Sequence, residues 1–143
     1  MKFKFDRKVN YYETDGMQIV HHSNYIRYME EARIYLMEKM GLPYEKLEEA
    51  GIAIPTTEVN CKYKFPAKFA DILEIEVYIN EYTSVRMTVS YVIRNKTQDN
   101  KLVLTGETKH CFTNKEVKPI SLKKYNEEMN EKFLKVLEEE EKI

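Results

Sequence analysis

Apolar and polar residues alternate from the start of the chain, Phe3 and Phe5 against Lys2, Lys4 and Asp6. A period of two predicts a first strand over 2–12. The period is lost over 14–22, where Gly16 supplies a turn. A helix is predicted over 24–40, because Tyr25, Met29, Ala32, Leu36 and Met40 recur at spacings of three and four and form one stripe. Tyr28, Tyr35 and Met37 widen the apolar surface well beyond it. Ser23 or Asn24 is the expected N-cap, Gly41 the expected left-handed end, and Pro43 bars continuation. A helix of that length spans roughly 25 Å. A short second helix is expected over 43–50. The period then returns to two, predicting a strand over 54–65 that Pro66 ends. Further strands are predicted over 72–82, 84–94 and 101–113, with turn chemistry at 95–100. Beyond Pro119, the positions of Leu122, Tyr125, Met129, Phe133, Val136 and Leu137 mark one amphipathic C-terminal helix.

The order is therefore strand, long helix, four strands, helix. Short connections between alternating strands are antiparallel meander signals. A helix apolar over most of its girth must be enclosed rather than laid on a surface. Together these predict an α+β hot-dog fold, an antiparallel sheet wrapped around a long central helix with a C-terminal helix added. At 143 residues a single domain over 1–143 is expected.

Composition narrows the function classes. With 43% hydrophobic and 33% charged residues the chain has globular composition, which argues against disorder. A net charge of −1 gives no global field toward nucleic acid or an anionic membrane. No apolar run approaches membrane-spanning length, and the charged, alternating N-terminus does not read as a signal peptide. Cys61 and Cys111 are expected to be free thiols in a reducing, cytoplasmic setting. The glutamate-rich end of the chain reads as a solvated helix face.

The candidate chemistry lies in the irregular segment. Asp15 stands seven residues before His22, which falls where the long helix begins. A helix start offers unpaired N–H groups and the positive end of the macrodipole. A carboxylate opposite such donors suits acyl transfer, as base or nucleophile beside an oxyanion site. Asp15, between Thr14 and Gly16, equally fits a turn residue. His22 also fits an ordinary first-turn residue, and Asn24 a cap or a substrate contact. His21, His22 and Asp15 do not complete a metal site, since the third histidine is His110 and no cysteine or acidic cluster supplies a known spacing. Glu58, alone in an otherwise uncharged run from 50 to 61, reads as a second-site carboxylate or an exposed strand residue.

The string Tyr11-Tyr12-Glu13-Thr14-Asp15, followed by Ile19-Val20, His22 and Asn24-Tyr25, resembles the signature of the 4-hydroxybenzoyl-CoA thioesterase family of hot-dog acyl-CoA thioesterases. Glu31-Ala32-Arg33 resembles that family's helix. Tyr63, Pro66, Ala67, Phe69 and Asp71 resemble a strand exit, and Thr105-Gly106, Thr108, His110 and Phe112 resemble its last strand. Gln18 departs from the pattern, where glycine is frequent. The resemblance implies hydrolysis of an acyl-CoA thioester without a cofactor. Asp15 would be nucleophile or general base, the backbone N–H near His22 would polarise the carbonyl, and the His22 side chain would border both. It implies a homodimer or homotetramer with sites at the subunit interface, residues 55–58 lining the partner's pocket. Gln18, Asn24, Tyr25, Thr57, Glu58 and Lys62 are the expected substrate contacts, with Lys62, Lys64 and Lys68 candidates for the CoA phosphates. Neither nucleic acid nor membrane is an expected partner. The alternatives are an acyl-carrier-protein thioesterase, a hydratase or dehydratase of acyl thioesters, and a non-catalytic acyl-CoA-binding module.

Overall fold

The computed structural model describes residues 1–141, with side chains described as far as Leu137. The expected solvated face of Glu138–Glu141 therefore lies outside the described side chains. Strands β1 (Lys2–Lys8), β2 (Thr56–Tyr63), β3 (Ile72–Tyr82), β4 (Arg86–Asn95) and β5 (Lys101–Cys111) form one sheet in the order β1-β3-β4-β5-β2. Every neighbouring pair is antiparallel. The first two strands in sequence are thus its two opposite edges. The chain between them must cross the sheet, and helix α1 (His22–Lys39) makes that crossing.

Along β3 the alternation buries Leu73, Ile75, Val77 and Ile79, and along β4 it buries Met87, Val89, Tyr91 and Ile93. These meet Tyr25, Tyr28, Met29, Ala32, Leu36 and Met37 of α1 in one core. Each large side chain buried there contributes roughly 1.5–3 kcal/mol. Gly106 of β5 leaves room for this contact, since a Cβ there would stand 2.7 Å from the Met29 Sδ. The sheet covers one side of α1 only, because its edge strands β1 and β2 do not pair with each other. Ile26 and Ile34 remain 42% and 38% exposed on the uncovered side.

Several boundaries differ from the sequence reading. The first strand ends at Lys8, and 11–13 form a 3-10 turn that a capping box from Asn10 to Glu13 closes. Helix α1 starts at His22 and its N-cap is His21, not Ser23 or Asn24. The imidazole Nδ1 accepts the Ser23 N–H at 3.2 Å, taking the place of the usual side-chain oxygen. At the other end Gly41 has φ +78°, and the Leu42 and Gly41 N–H groups bond the Met37 and Glu38 carbonyls. This is a Schellman end, and α2 (Tyr44–Glu49) repeats it at Gly51 and Ile52. The single C-terminal helix divides into α3 (Leu122–Tyr125) and α4 (Glu127–Glu141). Asn126 breaks it with extended backbone and accepts the Met129 N–H on its own Oδ1. Phe133 of α4 then stacks on Tyr82 at 4.9 Å and meets Phe112 edge-on at 5.6 Å, closing one end of the core.

Candidate active site

Residues 14–20 fold back on themselves. Thr14 bridges Val20, the Asp15 N–H bonds the Ile19 carbonyl at 2.9 Å, and the Gln18 N–H bonds the Asp15 carbonyl at 2.9 Å. The reversal requires Gln18 at φ +66°, a left-handed conformation that glycine adopts freely. The loop is pinned from outside by the Val20 N–H on the Ala67 carbonyl at 2.8 Å and by a bridge from Ile19 to Lys68. It closes where the His21 N–H reaches the Glu13 carbonyl at 2.9 Å. The carboxylate of Asp15 is thereby carried on a tight loop whose two ends meet at the start of α1. The turn reading of Asp15 also holds, since its Oδ1 accepts the Met17 N–H at 2.8 Å. Its Oδ2 makes no hydrogen bond among the described residues.

His21 caps the helix and stacks on His22 with ring centroids 4.2 Å apart. His22, the first helical residue, is exposed. Its N–H lies ahead of the first intrahelical bond and meets no acceptor among the described residues. The loop that carries the carboxylate thus closes at a free donor on the positive end of an 18-residue helix. That pair can attack or hydrate an acyl carbonyl and hold the oxyanion that follows.

The other predicted residues fall in four places. Gln18 is exposed on the same loop as Asp15. Asn24 and Tyr25 are buried. Asn24 Nδ2 donates to the Glu13 carbonyl at 2.8 Å, and the Tyr25 hydroxyl accepts the Ala67 N–H at 3.3 Å. Asn24 holds the loop entrance to the helix directly, and Tyr25 holds the Ala67 backbone on which Val20 is pinned. Thr57 and Glu58 lie at the far end of β2 from Tyr63, whose ring centroid is 5.5 Å from that of Tyr25. Six residues of strand separate the two ends by roughly 20 Å. In one chain they do not reach Asp15: Thr57 bonds the Lys109 carbonyl and Glu58 pairs with Lys109 at 3.5 Å. Lys62 lines a cavity of about 330 Å³ with Asn60, Tyr78, Asn80 and Glu107, on the sheet face opposite α1. A second cavity of about 390 Å³ lies between α2 and α4. Neither borders Asp15, which stands on the surface of the single chain. No group of three metal-ligating side chains forms among the described residues. No helix among them is long and apolar enough to cross a membrane.

Two buried polar clusters carry no role in the sequence reading. Glu13 is 3% exposed and takes two bonds from the Arg7 guanidinium, at 2.5 and 2.7 Å. It also accepts the Asn10 N–H at 2.8 Å and the Tyr28 hydroxyl at 2.9 Å. Burial alone would raise its pKa, but the bonds from Arg7, Asn10 and Tyr28 prevail and hold it below the ordinary carboxylate value. Tyr28 is pushed up by burial and by that same carboxylate. The second cluster runs from Arg33 through the Tyr91 hydroxyl (3.1 Å) and Thr108 Oγ1 (2.7 Å) to His110 Nε2 (2.8 Å). Burial, with the nearby Arg33 charge, lowers the His110 pKa to about 4. The alternating patterns around Arg7 and His110 place each residue on a face without showing that it is paired there.

The chain and its fold are similar to known proteins. A DHNA-CoA thioesterase from Staphylococcus aureus superposes with a TM-score of 0.91 at 30% identity, over 99% of this chain and 96% of that one. An acyl-CoA thioesterase of Helicobacter pylori is 28% identical over 129 residues, covering 85% of this chain and 95% of the relative. The 4-hydroxybenzoyl-CoA thioesterase of Pseudomonas sp. strain CBS-3 shares the fold, with a TM-score of 0.77 at 22% identity over 88% of this chain and 97% of that one. The family pattern described as the thioesterase-like superfamily matches residues 9–136, and the chain is a hot-dog-fold member of that family.

Proposed function

We propose that the protein hydrolyses acyl-CoA thioesters, releasing the free acid and CoA. The observation that supports this reading is the closed loop from Glu13 to His21, which carries the Asp15 carboxylate and ends at the start of α1, where the His22 N–H is free. Asp15 attacks the thioester carbonyl, or takes a proton from the water that does. The His22 N–H receives the developing oxyanion, and collapse expels the thiolate. With Asp15 as base this gives the free acid directly. With Asp15 as nucleophile it gives an acyl–Asp15 anhydride that water then cleaves to the acid and the free carboxylate. In both, the proton released by the water ends on the CoA thiol. The two free cysteines fit a reducing, cytoplasmic setting.

The working unit in this reading is a dimer. All of β2 except Cys61 is exposed along an unpaired sheet edge, including Val59 at 41% and Tyr63 at 50%. Such an edge invites pairing with another strand. Antiparallel pairing of two β2 strands centred near Asn60 brings the partner copy's segment 57–58 beside Tyr63 and the helix start. The residues that one chain leaves roughly 20 Å apart then share one pocket.

The test follows thiol release across short, long and aromatic acyl-CoAs, with wild type beside Asp15→Asn. Wild type is expected to turn over at least one class, and the variant to lose about a hundredfold or more in kcat. A variant as active as wild type would reduce Asp15 to a turn residue. Binding of acyl-CoA by wild type without thiol release would point to a binding module.

A further inference from the structure

We infer that Glu13 is the positioning residue of the Asp15 loop. This rests on the reading of Asp15 as the reacting group. Glu13 stands two residues before Asp15, and both its side chain and its carbonyl are committed. The buried carboxylate joins three separate pieces of the chain: Arg7 on β1, the Asn10 N–H in the turn, and the Tyr28 hydroxyl on α1. Its carbonyl accepts the His21 N–H and the Asn24 amide, both at the helix start. One residue thus ties the edge strand, the loop entrance and the loop exit together. Asp15 itself makes no side-chain bond beyond its own turn, so its place relative to the His22 N–H is inherited from this tether. A tight loop carrying a half-buried carboxylate would otherwise sample many orientations, and a reacting group must be held close to one.

Glu13 does not touch the substrate in this arrangement and acts through Asp15. Its effect therefore belongs in kcat rather than KM, and it vanishes when Asp15 cannot react. Two variants test this. Tyr28→Phe removes one bond to the carboxylate and nothing else. Glu13→Gln also removes the buried charge opposite Arg7, which keeps its pair with Glu31 at 3.1 Å. The first keeps the test open if the second fails to fold.

Amide exchange is read at Asp15, Val20 and His21, with amides of β4 as reference. In Tyr28→Phe the three loop amides are expected to exchange about tenfold faster and the β4 amides to stay unchanged, since a bond to a charged group is lost locally. With the acyl-CoA that wild type turns over, kcat is expected to fall about tenfold with KM held within about threefold. Added to Asp15→Asn, Tyr28→Phe is expected to change the residual rate less than about twofold, because two residues acting as one unit are not additive. Unchanged loop exchange, or equal loosening of β4, overturns the inference. So does a full tenfold loss repeated in the Asp15→Asn background. Should Asp15→Asn alone keep full activity, the catalytic reading falls, and the exchange pattern by itself decides whether Glu13 holds the loop.

Discussion

Gln18 shows what a single residue contributes to this fold. A side chain at φ +66° costs about 1–2 kcal/mol relative to right-handed backbone, and the loop reversal demands that angle. Glycine removes the clash but adds about 0.5–1 kcal/mol of unfolded-state entropy. Gln18→Gly is therefore expected to stabilise by about 0.5 kcal/mol, with Tm up by about 2 °C, while Gln18→Ala changes Tm little. A fall in Tm for the glycine variant would show that the glutamine makes a contact worth more than the strain. His110 is a second residue-scale case. Its pKa is about 4 in the fold against an ordinary 6.5, so the unfolded chain binds the proton more readily. The stability it contributes is complete above the unfolded value and is lost as pH falls toward 4. Wild type is expected to lose about 2 kcal/mol of unfolding free energy between pH 7 and 4.5 from this group. Urea titrations at both pH values check it: in His110→Gln that part of the loss disappears, whereas an unchanged pH slope would assign it elsewhere.

At the scale of elements, end chemistry decides where each one stops. Gly41 ends α1 in the left-handed conformation, and the nearest atom to a Cβ built there is the Lys132 Nζ at an ordinary 3.8 Å. The cost of Gly41→Ala thus comes from backbone angle and not from crowding. It is expected to be about 1 kcal/mol, read as a lower denaturation midpoint with unchanged slope. The sequence located this end, α2 and the strand centres well, because caps, glycines and periodicity act over a few residues. The start of α1 was less legible. His21 is not a usual cap, and it serves here because the chain before it is fastened to Glu13. Asn126 was hidden for the opposite reason: Leu122, Met129, Phe133 and Val136 keep a helical spacing across the break, while Asn126 turns the backbone within it.

The whole molecule sets what a single chain can do. Asp15 stands on an open surface, while Thr57 and Glu58 lie at the other end of the edge strand. In the proposed dimer a second copy along β2 completes the pocket. Sedimentation is expected to show a dimer, and Val59→Pro, which places a ring on the open edge of β2 where the partner strand must pair, is expected to shift it toward monomer. Thiol release should fall with the dimer fraction. A fully active monomer would remove the partner copy's residues from the site.

The amino-acid sequence by itself determined the element order, the faces that each strand buries, and the loop that carries the candidate carboxylate. Those depend on period and on turn and cap residues, which are local. Only the tertiary structure decided that Glu13 is buried against Arg7 and Tyr28, that Asn24 and Tyr25 turn inward to hold the loop, and that Thr57, Glu58 and Lys62 lie away from Asp15. Periodicity names the face on which a side chain stands. Its partner is chosen by the crossing of α1 over the sheet, which brings together residues far apart in the chain.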